Sequence, residues 1–595
     1  MTGPTVRAYA LALSVLCVAV RGSAPAPGPD LIVVGAGIAG LSAALDAADA
    51  GARVTVVDMW SVFGGHAIMS SGGLCIVGSP EQQARGIADT PDLAFKDFVE
   101  WGEDVSLGWV RVYVDRSREL IYDWVTAKGI AFDRISRQPG NSVARFHETR
   151  GRGVGLVSPI YRDAVRHPGV SFQWNLKVTG LVREGDRVIG VTGEDMRGGE
   201  RRELRARAVV LATGGFQSNL EMVKAFWPAN LPFPARILVG SGLNSTGSGH
   251  DVARAAGAAL VKMDHQWNYA TGLPDPRYQG TGRGLNAHNP DAIWVNAQGR
   301  RFVNEEASDK FTLPALLRQQ PPTYWAIFDE SAKRKFWVSG SDWGDFARIE
   351  EEIFARPELV RTAATLEALA GRAGLPAAVL VKTVERYNES VARRRDEPFG
   401  RFAPDDRERP ARIATPPFYA VQFFPLTRKS MGGVSVDLSC RVLDVVGRPI
   451  PGLYAAGELT GLAGVNGKAG LEGTFLGPSI VTGRIAGRQV AAELGLAGSR
   501  TAPARTTAGA GPTARRTEAL AAHCATCHDV DAEAANPRRG YSHFEKVHHV
   551  VGARKHDCGL CHAEMWPFDP EHHRVDRVAQ IDVCRHCHVA EERRQ

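Results

Sequence analysis

The chain is 595 residues long, with 44% hydrophobic residues, 23% charged residues and a formal net charge of +6. This length is too great for one compact core, so we expect several domains. The composition is ordinary for globular proteins, and so small a net charge for this length does not indicate nucleic-acid binding.

The first 26 residues have the features of a secretory signal peptide. Arg7 precedes the apolar run AYALALSVLCVAV, and small residues and prolines follow it. The run is too short to span a bilayer, whereas a basic start, a short apolar stretch and small residues are typical of export signals. We therefore predict export to the periplasm and no membrane span, with the cleavage point left open.

A dinucleotide-binding pattern begins at residue 29. An apolar strand, predicted at 31–34, leads into GAGIAG and an alanine-rich helix, and a second strand at 54–57 ends at Asp58. Gly35 suits the tight turn, Gly37 lets the backbone approach a pyrophosphate, and Gly40 lets helix and strand pack closely. Asp58 is placed to bind a ribose hydroxyl. A glycine-rich loop without a ligand is the alternative, but strand, helix and acidic residue all fall at the right spacing.

Further motifs follow: FGGHAIMSSGG (63–73), RFHETRGRGVG (145–155), VVLATGGF (209–216), GRRFVNEE (299–306), KSMGGVSVD (429–437) and GLYAAGELTG (452–461). Together they resemble the flavin-dependent family of fumarate reductases, succinate dehydrogenases and 3-ketosteroid dehydrogenases, over about residues 29–495. The resemblance implies FAD as the cofactor. With the fingerprint, the residues expected to bind it are Gly35, Gly37, Ile38, Ala39, Gly40, Asp58, Gly64, Gly65, His66, Gly72, Gly73, Ala212, Thr213, Gly214, Gly457 and Glu458.

The same resemblance implies an α/β fold, with a Rossmann-like FAD-binding domain and an inserted α+β capping domain. We predict the FAD-binding domain at 29–239 and 411–496 and the capping domain, which would hold the substrate, at 240–410. Residues 497–517 are rich in Ala, Gly, Thr, Pro and Arg, as flexible linkers are.

His66 stands six residues before the pair Gly72 and Gly73. Succinate dehydrogenases carry, at this spacing, a histidine that is covalently bonded to the flavin. The resemblance therefore raises the possibility of a covalent bond at His66; a histidine that only packs on or hydrogen-bonds to the flavin ring is the alternative.

The catalytic motifs depart from those of fumarate reductases in three places. Asp309 stands where the family has a proton-donating arginine, Arg428-Lys429-Ser430 replaces a histidine before Met-Gly-Gly, and NGKAGLEGTFLGPSI (466–480) replaces Asn-Arg-Leu-Gly-Gly. The last segment looks more like the ketosteroid dehydrogenase branch. These departures together argue against fumarate itself as the substrate.

The candidates for catalysis come from the polar residues that remain in the motifs. Lysine or arginine near a flavin would bind an anionic group or stabilise an enolate, and the ketosteroid branch uses tyrosines as acids. A surface ion pair, or a packed tyrosine, is the alternative for each one. From the cations Arg145, His147, Arg283, Lys310, Lys429 and Lys468 we select Arg283, Lys429 and Lys310, and we add Tyr269.

The C-terminal region, 518–595, contains CATCH, CGLCH and CRHCH, and 11 of the 17 histidines lie after residue 520. Cys-x-x-Cys-His is the attachment motif of c-type haem; zinc binding is the alternative. We predict a triheme cytochrome module, similar to small multihaem cytochromes of the c7 type. The attachment cysteines are Cys524, Cys527, Cys558, Cys561, Cys584 and Cys587. The proximal ligands are His528, His562 and His588, and the distal candidates are His543, His548, His549, His572 and His573.

Taken together, the sequence predicts a periplasmic flavocytochrome c. We expect hydride transfer at a C=C or CH–CH bond beside a carbonyl or carboxylate, with electrons exchanged through three haems. The expected partners are a small organic substrate and a periplasmic cytochrome or membrane quinol dehydrogenase. The alternative is an electron-transfer flavocytochrome without a substrate of its own. Sulfide oxidation needs a cysteine pair beside the flavin, and neither Cys75 nor Cys440 lies in a suitable motif.

Overall fold

The computed structural model of the protein describes residues 28–340, 343–402 and 410–496. The predicted signal peptide, linker and triheme module therefore lie outside the described residues. Across the three described ranges, no helix is long and apolar enough to cross a membrane.

The strands, in chain order, are β1 (Leu31–Val34), β2 (Val54–Val57), β3 (Gly73–Cys75), β4 (Phe132–Ser136), β5 (Phe146–Thr149), β6 (Val170–Gln173), β7 (Leu176–Glu184), β8 (Arg187–Asp195), β9 (Arg201–Arg205), β10 (Ala208–Leu211), β11 (Leu238–Val239), β12 (Leu260–Val261), β13 (Gln266–Pro274), β14 (Gly284–His288), β15 (Ile293–Val295), β16 (Tyr324–Asp329), β17 (Trp337–Val338), β18 (Val360–Ala363), β19 (Phe418–Ser430), β20 (Gly433–Val434), β21 (Arg441–Leu443) and β22 (Pro449–Ala455).

The α-helices are α1 (Ile38–Asp49), α2 (Pro80–Ala84), α3 (Pro91–Gly102), α4 (Leu107–Ser117), α5 (Trp124–Thr126), α6 (Arg152–Arg166), α7 (Leu220–Ala225), α8 (Ser248–Ala255), α9 (Asp309–Leu317), α10 (Glu330–Lys333), α11 (Phe346–Ile349), α12 (Leu366–Ala373), α13 (Ala377–Arg393) and α14 (Leu476–Glu493).

The first large sheet has the strand order β21-β22-β10-β1-β2-β6, and its pairs are parallel except β21 with β22. Strand β1 reads LIVV and is buried along its whole length, as expected for a parallel strand covered on both faces. The predicted strands at 31–34 and 54–57 are present as β1 and β2. The prediction of a mixed α/β architecture is confirmed.

Helices α1 and α14 cover this sheet and pack closely on each other. A Cβ atom at Gly483 would stand 2.2 Å from the carbonyl oxygen of Ala39, and one at Gly487 would stand 2.2 Å from that of Ala43. The two glycines are therefore what allows the helix backbones to approach this closely. Beside them, Arg484 Nε lies 3.0 Å from Asp46 Oδ1 in a buried ion pair.

The second large sheet is mostly antiparallel, with the order β15-β16-β19-β13-β14-β17, and β11 and β18 also pair with β19. The long strand β19 is its centre. The predicted boundary at 411 assigns β19 to the FAD-binding domain, whereas its hydrogen bonds belong to the second sheet. The domain division itself stays a prediction. Three smaller sheets, β3-β5-β4, β7-β8-β9 and β12-β20, complete the described fold.

Candidate functional site

A long cleft lies at the carboxyl ends of the parallel strands β1, β2 and β10. The loops after these strands contribute Gly35, Asp58 and Thr213 to its lining. In open α/β sheets ligands bind at this edge, because the loops there leave a crevice and helix N-termini point into it. Helix α1 begins here with no side-chain cap and no acidic residue in its first turn. Its free N–H groups suit a phosphate.

The three glycines of the fingerprint differ in what they contact. A Cβ at Gly35, where φ is +111°, would stand 2.3 Å from the carbonyl oxygen of Ala212, and one at Gly40 would stand 1.9 Å from that of Gly35. These two glycines are required by the packing of the protein itself. A Cβ at Gly37 would meet no described atom within 4 Å and would project into the cleft. A glycine at 37 is therefore explained by a ligand and not by the fold.

Asp58, directly after β2, connects the loops that follow β1 and β2. Its Oδ2 accepts a hydrogen bond of 2.7 Å from the backbone N–H of Ala36, and its Oδ1 accepts one of 2.8 Å from Trp60. Burial raises the pKa of Asp58 to about 6, and the two backbone donors oppose this rise. The carboxylate is held at the cleft wall with further acceptor sites, as recognition of ribose hydroxyls requires.

Most of the predicted cofactor residues line the cleft: Gly35, Gly37, Ile38, Ala39, Asp58, Gly64, Gly65, His66, Ala212, Thr213, Gly214 and Glu458. The other four, Gly40, Gly72, Gly73 and Gly457, lie behind the lining, where a Cβ would meet neighbouring atoms at less than 3 Å. His66 faces the cleft, with its ring centroid 5.9 Å from that of Phe475.

Residues 176–178 of β7 and two further parts of the lining were not predicted. One is the segment 242–245, in the glycine- and serine-rich run GSGLNSTGSG (240–249), which could have been recognised as a phosphate- or ribityl-binding loop from its composition. The other is the start of α14, where Phe475, Leu476 and Ser479 complete the wall. No local sequence signal marks that helix as a partner of the fingerprint.

The residues present fit FAD. The exposed backbone at Gly37, the two uncapped helix starts and Asp58 suit the dinucleotide part. Thr213 Oγ1 is buried at the cleft without a hydrogen-bond partner among the described residues, so a ligand group would satisfy it. Glu458 is also in the wall, and burial raises its pKa to about 7.

A second cavity of about 520 Å³ lies between the small sheet β3-β5-β4 and the second large sheet. Strands β13 and β19 and the start of α9 supply its polar wall. Phe475 joins the two spaces, because it lines the first cleft while its ring centroid lies 5.1 Å from Lys429 Nζ in the second. A substrate in the second cavity would therefore lie next to the cofactor cleft.

Lys429 and Tyr269 meet in this cavity, as members of the neighbouring antiparallel strands β19 and β13. Lys429 Nζ donates a hydrogen bond of 2.8 Å to Tyr269 Oη, which donates one of 3.4 Å to Glu472 Oε1. Burial lowers the pKa of Lys429 to about 8, although Glu472 opposes the change. Burial also raises the pKa of Tyr269, so its hydroxyl stays protonated. This arrangement is a short proton relay.

Asp309 is the first residue of α9 and also lines the second cavity. Its Oδ1 accepts a hydrogen bond of 2.8 Å from the backbone N–H of Ala270. Burial raises the pKa of Asp309 to about 7, and the nearby charge of Glu472 acts in the same direction. Asp309 stands at the position of an arginine in the fumarate reductase motif, and it therefore brings a carboxyl group into the second cavity.

Arg428 is a cavity residue that was not selected from the sequence. It is 8% exposed, and it donates a hydrogen bond of 3.1 Å to Ser339 Oγ. Its guanidinium carbon lies 5.5 Å from the ring centroid of Tyr269. The replacement of a histidine by Arg428-Lys429 before Met-Gly-Gly was the signal that could have identified it.

Two of the predicted catalytic residues, Arg283 and Lys310, do not line the second cavity. Arg283 lines a separate cavity with Arg236 and donates a hydrogen bond to the carbonyl oxygen of Ser241; burial lowers its pKa. Lys310 forms an ion pair of 2.7 Å with Glu103. On the strand that follows Arg283, Asn286 and His288 line the second cavity.

The other cations have structural partners or are exposed. Arg145 is fully buried between Asp89 and Asp97. His147 is buried against Ser79 and its burial lowers its pKa to about 4, and Lys468 is exposed.

The predicted haem ligands lie outside the described residues. Within those residues, no group of three or more His, Cys, Asp or Glu could hold a metal ion. Cys75 and Cys440 are free, and both are buried. Burial raises the pKa of Cys75 to about 12 and also raises that of Cys440, so neither is a thiolate near neutral pH.

The parallel-sheet cleft and the adjoining relay define a flavoprotein oxidoreductase with a separate substrate cavity. The family model described as FAD binding domain matches residues 30–476. The chain belongs to this family of FAD-dependent oxidoreductases, whose fumarate reductase and ketosteroid dehydrogenase members act on CH–CH bonds.

Individual relatives and a solved structure support this assignment. The chain is 32% identical to a KsdD-like steroid dehydrogenase of Mycobacterium tuberculosis, over 78% of this chain and 96% of that protein. It is also 32% identical to the fumarate reductase (cytochrome) of Shewanella frigidimarina, over 79% and 78%. The open conformation of a flavocytochrome c3 fumarate reductase superposes with a TM-score of 0.65 and 29% identity, over 79% of each chain. The predictions of FAD as cofactor and of an oxidoreductase are confirmed.

Proposed function

We propose that the protein is a periplasmic flavocytochrome c that reduces or forms a C=C bond next to a carbonyl or carboxylate group. The observation that carries the chemical part is the relay of Lys429, Tyr269 and Glu472 in a cavity that adjoins the flavin cleft. Bound FAD supplies the hydride acceptor or donor. Proton transfer at the neighbouring carbon is left to the protein.

Tyr269 is the proposed proton donor in the reducing direction. Its hydroxyl gives a proton to the α-carbon of the substrate, and the ammonium group of Lys429 stabilises the oxygen that remains and returns a proton to it. Lys429 is then recharged from solvent. In the dehydrogenating direction the same groups run in reverse, with the tyrosine oxygen taking the proton from the α-carbon.

Arg428 is the proposed binding group for the substrate oxygen. A cation at the oxygen stabilises the negative charge that develops on the carbonyl or carboxylate as the α-carbon is protonated or deprotonated. Packing of the guanidinium against Tyr269 keeps the binding group and the proton donor next to each other.

The electron route of the proposal rests on the three Cys-x-x-Cys-His motifs after residue 520 and on the export signal. Flavins exchange two electrons with organic substrates and haems exchange one, so covalent haems would connect the flavin to an external redox protein. We propose a periplasmic cytochrome or a membrane quinol dehydrogenase as that partner. The relative from Shewanella frigidimarina bears the name fumarate reductase (cytochrome), which is consistent with this pairing.

The test is optical and uses the full chain produced with haem maturation in a periplasm. The reduced protein is mixed anaerobically with unsaturated acids and a steroid enone while the haem α-band and the flavin band are followed. Rapid reoxidation by one compound supports a reductase, and haem reduction by a saturated compound supports a dehydrogenase. A protein without haem bands would overturn the proposed electron route. No change in the haem or flavin bands with any compound, in either direction, would overturn the enzymatic proposal in favour of an electron relay.

The same preparation tests whether the flavin is covalently bonded to His66 or only packs on this histidine or hydrogen-bonds to it. After acid denaturation and haem extraction, a covalent flavin stays with the precipitated chain, and a dissociable one appears in the supernatant. A His66→Ala variant that releases flavin, where the parent chain retains it, would assign the bond to this residue.

A further inference from the structure

The charges in the substrate cavity lead to a narrower statement about the substrate. Four basic side chains, Arg134, Arg152, Arg428 and Lys429, and five acidic ones, Glu148, Glu305, Glu306, Asp309 and Glu472, line this cavity in the described part of the chain. A site built for a dicarboxylate needs an excess of cations. This lining has none.

Several of these charges already have partners. Arg134 pairs with Glu148 at 2.8 Å, Glu305 pairs with Arg301 at 2.6 Å, and Glu306 lies 2.9 Å from His288. Arg152 donates a hydrogen bond of 2.7 Å to the carbonyl oxygen of Gly340, which engages its guanidinium but does not neutralise its charge. The side chains left for a ligand are Arg428, Lys429, Asp309 and Glu472, two basic and two acidic, so no excess of cations remains among them.

Arg428 is the cation of this group that is built to receive an anion. It is buried, no carboxylate in the described ranges forms an ion pair with it, and its Nε has no hydrogen-bond partner there. A buried guanidinium in this state is costly unless an anion arrives. Lys429 is already engaged with Tyr269, next to Glu472, and is not available for a second carboxylate.

The remaining walls are aromatic. Phe146, Trp267, Trp294 and Trp337 line the cavity together with Tyr269. The rings of Trp267 and Tyr269 are nearly parallel, 6.0 Å apart at 8°, and Trp337 is 43% exposed. Flat apolar walls of this kind suit a planar apolar group, and about 520 Å³ is more than a four-carbon acid needs.

We propose that the substrate is a 2-enoic acid with a single carboxylate, bound by Arg428, and an aromatic group on the β-carbon, and that Asp309 and Glu472 exclude dicarboxylates. This inference rests on the proposed function, since it names the substrate of the same relay. The reaction adds a hydride to the β-carbon and a proton to the α-carbon, and the reduced flavin is oxidised. A second carboxylate would stand beside two acidic groups, which repel it.

The experiment uses the purified full chain with its cofactors, reduced anaerobically with dithionite, and compares trans-cinnamate, crotonate, fumarate and 4-androstene-3,17-dione. We expect cinnamate to reoxidise the flavin at least 100-fold more efficiently than fumarate and at least 10-fold more efficiently than crotonate. If only fumarate or only the steroid enone reacts, the inference falls and the proposed function stands. If no compound reacts, both fall.

Three variants assign the roles. Arg428→Gln should weaken cinnamate binding, measured by the shift of the flavin spectrum, by about 10- to 100-fold, whereas Arg150→Gln, which alters an exposed arginine paired with Asp133, should change it less than 2-fold. Asp309→Asn should narrow the preference for cinnamate over fumarate by about 10-fold. An Arg428→Gln variant with native flavin content and unchanged binding, or an Asp309→Asn variant with an unchanged preference, would contradict the assignment.

Discussion

Replacement of Lys429 by methionine should reduce activity and increase the stability of the protein. The ammonium group is held in the wall between the two cavities, over the ring of Trp267 at 3.9 Å. Burial lowers the pKa of Lys429 to about 8, from an ordinary value of 10.5. The folded protein therefore binds this proton less tightly than the unfolded chain does.

The pH dependence follows from that direction. Below pH 8 both states hold the proton, and the unfavourable burial of the charge is fully present. Between about pH 8 and 10.5 only the unfolded chain holds it, so this residue's contribution to stability improves as the pH rises. The difference in pKa corresponds to roughly 3 kcal/mol, and contact with solvent in the cavity reduces this to about 1–2 kcal/mol. Lys429→Met should gain about that much at pH 7.

The assay is urea unfolding of the FAD-loaded protein at pH 7 and pH 9.5, together with the rate of substrate reduction between pH 6 and 10. The parent rate should fall as the pH rises through about 8, because the proton-carrying form of Lys429 is lost. Lys429→Met should be at least about 100-fold slower and lack this pH limb. Lys468→Met serves as the control, since Lys468 is exposed and should change neither property. A destabilised Lys429→Met variant with an unchanged pH profile would refute the reasoning.

Three further predictions concern the relay, the cleft and the helix packing. Tyr269→Phe should lower kcat by about 100-fold or more with little change in KM, because only the proton donor is lost; equal losses in binding would point to a positioning role instead. Gly37→Ala should fold with a native melting temperature but lose FAD, seen as a lower flavin absorbance per chain, whereas Gly40→Ala should lower the melting temperature itself. Gly483→Ala should destabilise the protein by about 2 kcal/mol or more in chemical unfolding. The control is Gly371→Ala, in α12 with open space around it, which should stabilise the protein by roughly 0.5–1 kcal/mol. Equal effects at both sites would contradict the close approach of α1 and α14.

The cofactor cleft was largely predictable because its signals are local. A buried strand, a glycine turn and the first turn of a helix follow one another within a few residues. Asp58 comes directly after the next strand. Each step depends on chain stereochemistry over short distances, so spacing alone places these groups together. The wall supplied by the start of α14 is more than 400 residues away in the chain, and no spacing predicts such a contact.

The substrate cavity required the tertiary structure. Tyr269 contacts Lys429 across 160 residues, through the register of β13 against β19. It also contacts Glu472, in the loop before α14, across 203 residues. Arg283 and His288 show the same dependence, because successive side chains of extended backbone point in opposite directions and these two residues are five positions apart. His288 lines the substrate cavity, whereas Arg283 lines a separate cavity.

Short segments of sequence were enough to predict the dinucleotide-binding pattern, the class of cofactor and the departure from the fumarate reductase motifs, because the geometry of such segments is local. That Arg428, Lys429, Tyr269, Asp309 and Glu472 line one cavity beside the cleft could be read only from the folded chain. The physical reason is that strand pairing and helix docking bring these residues together, and the energies that select one register are summed over whole sheets and not over any one motif.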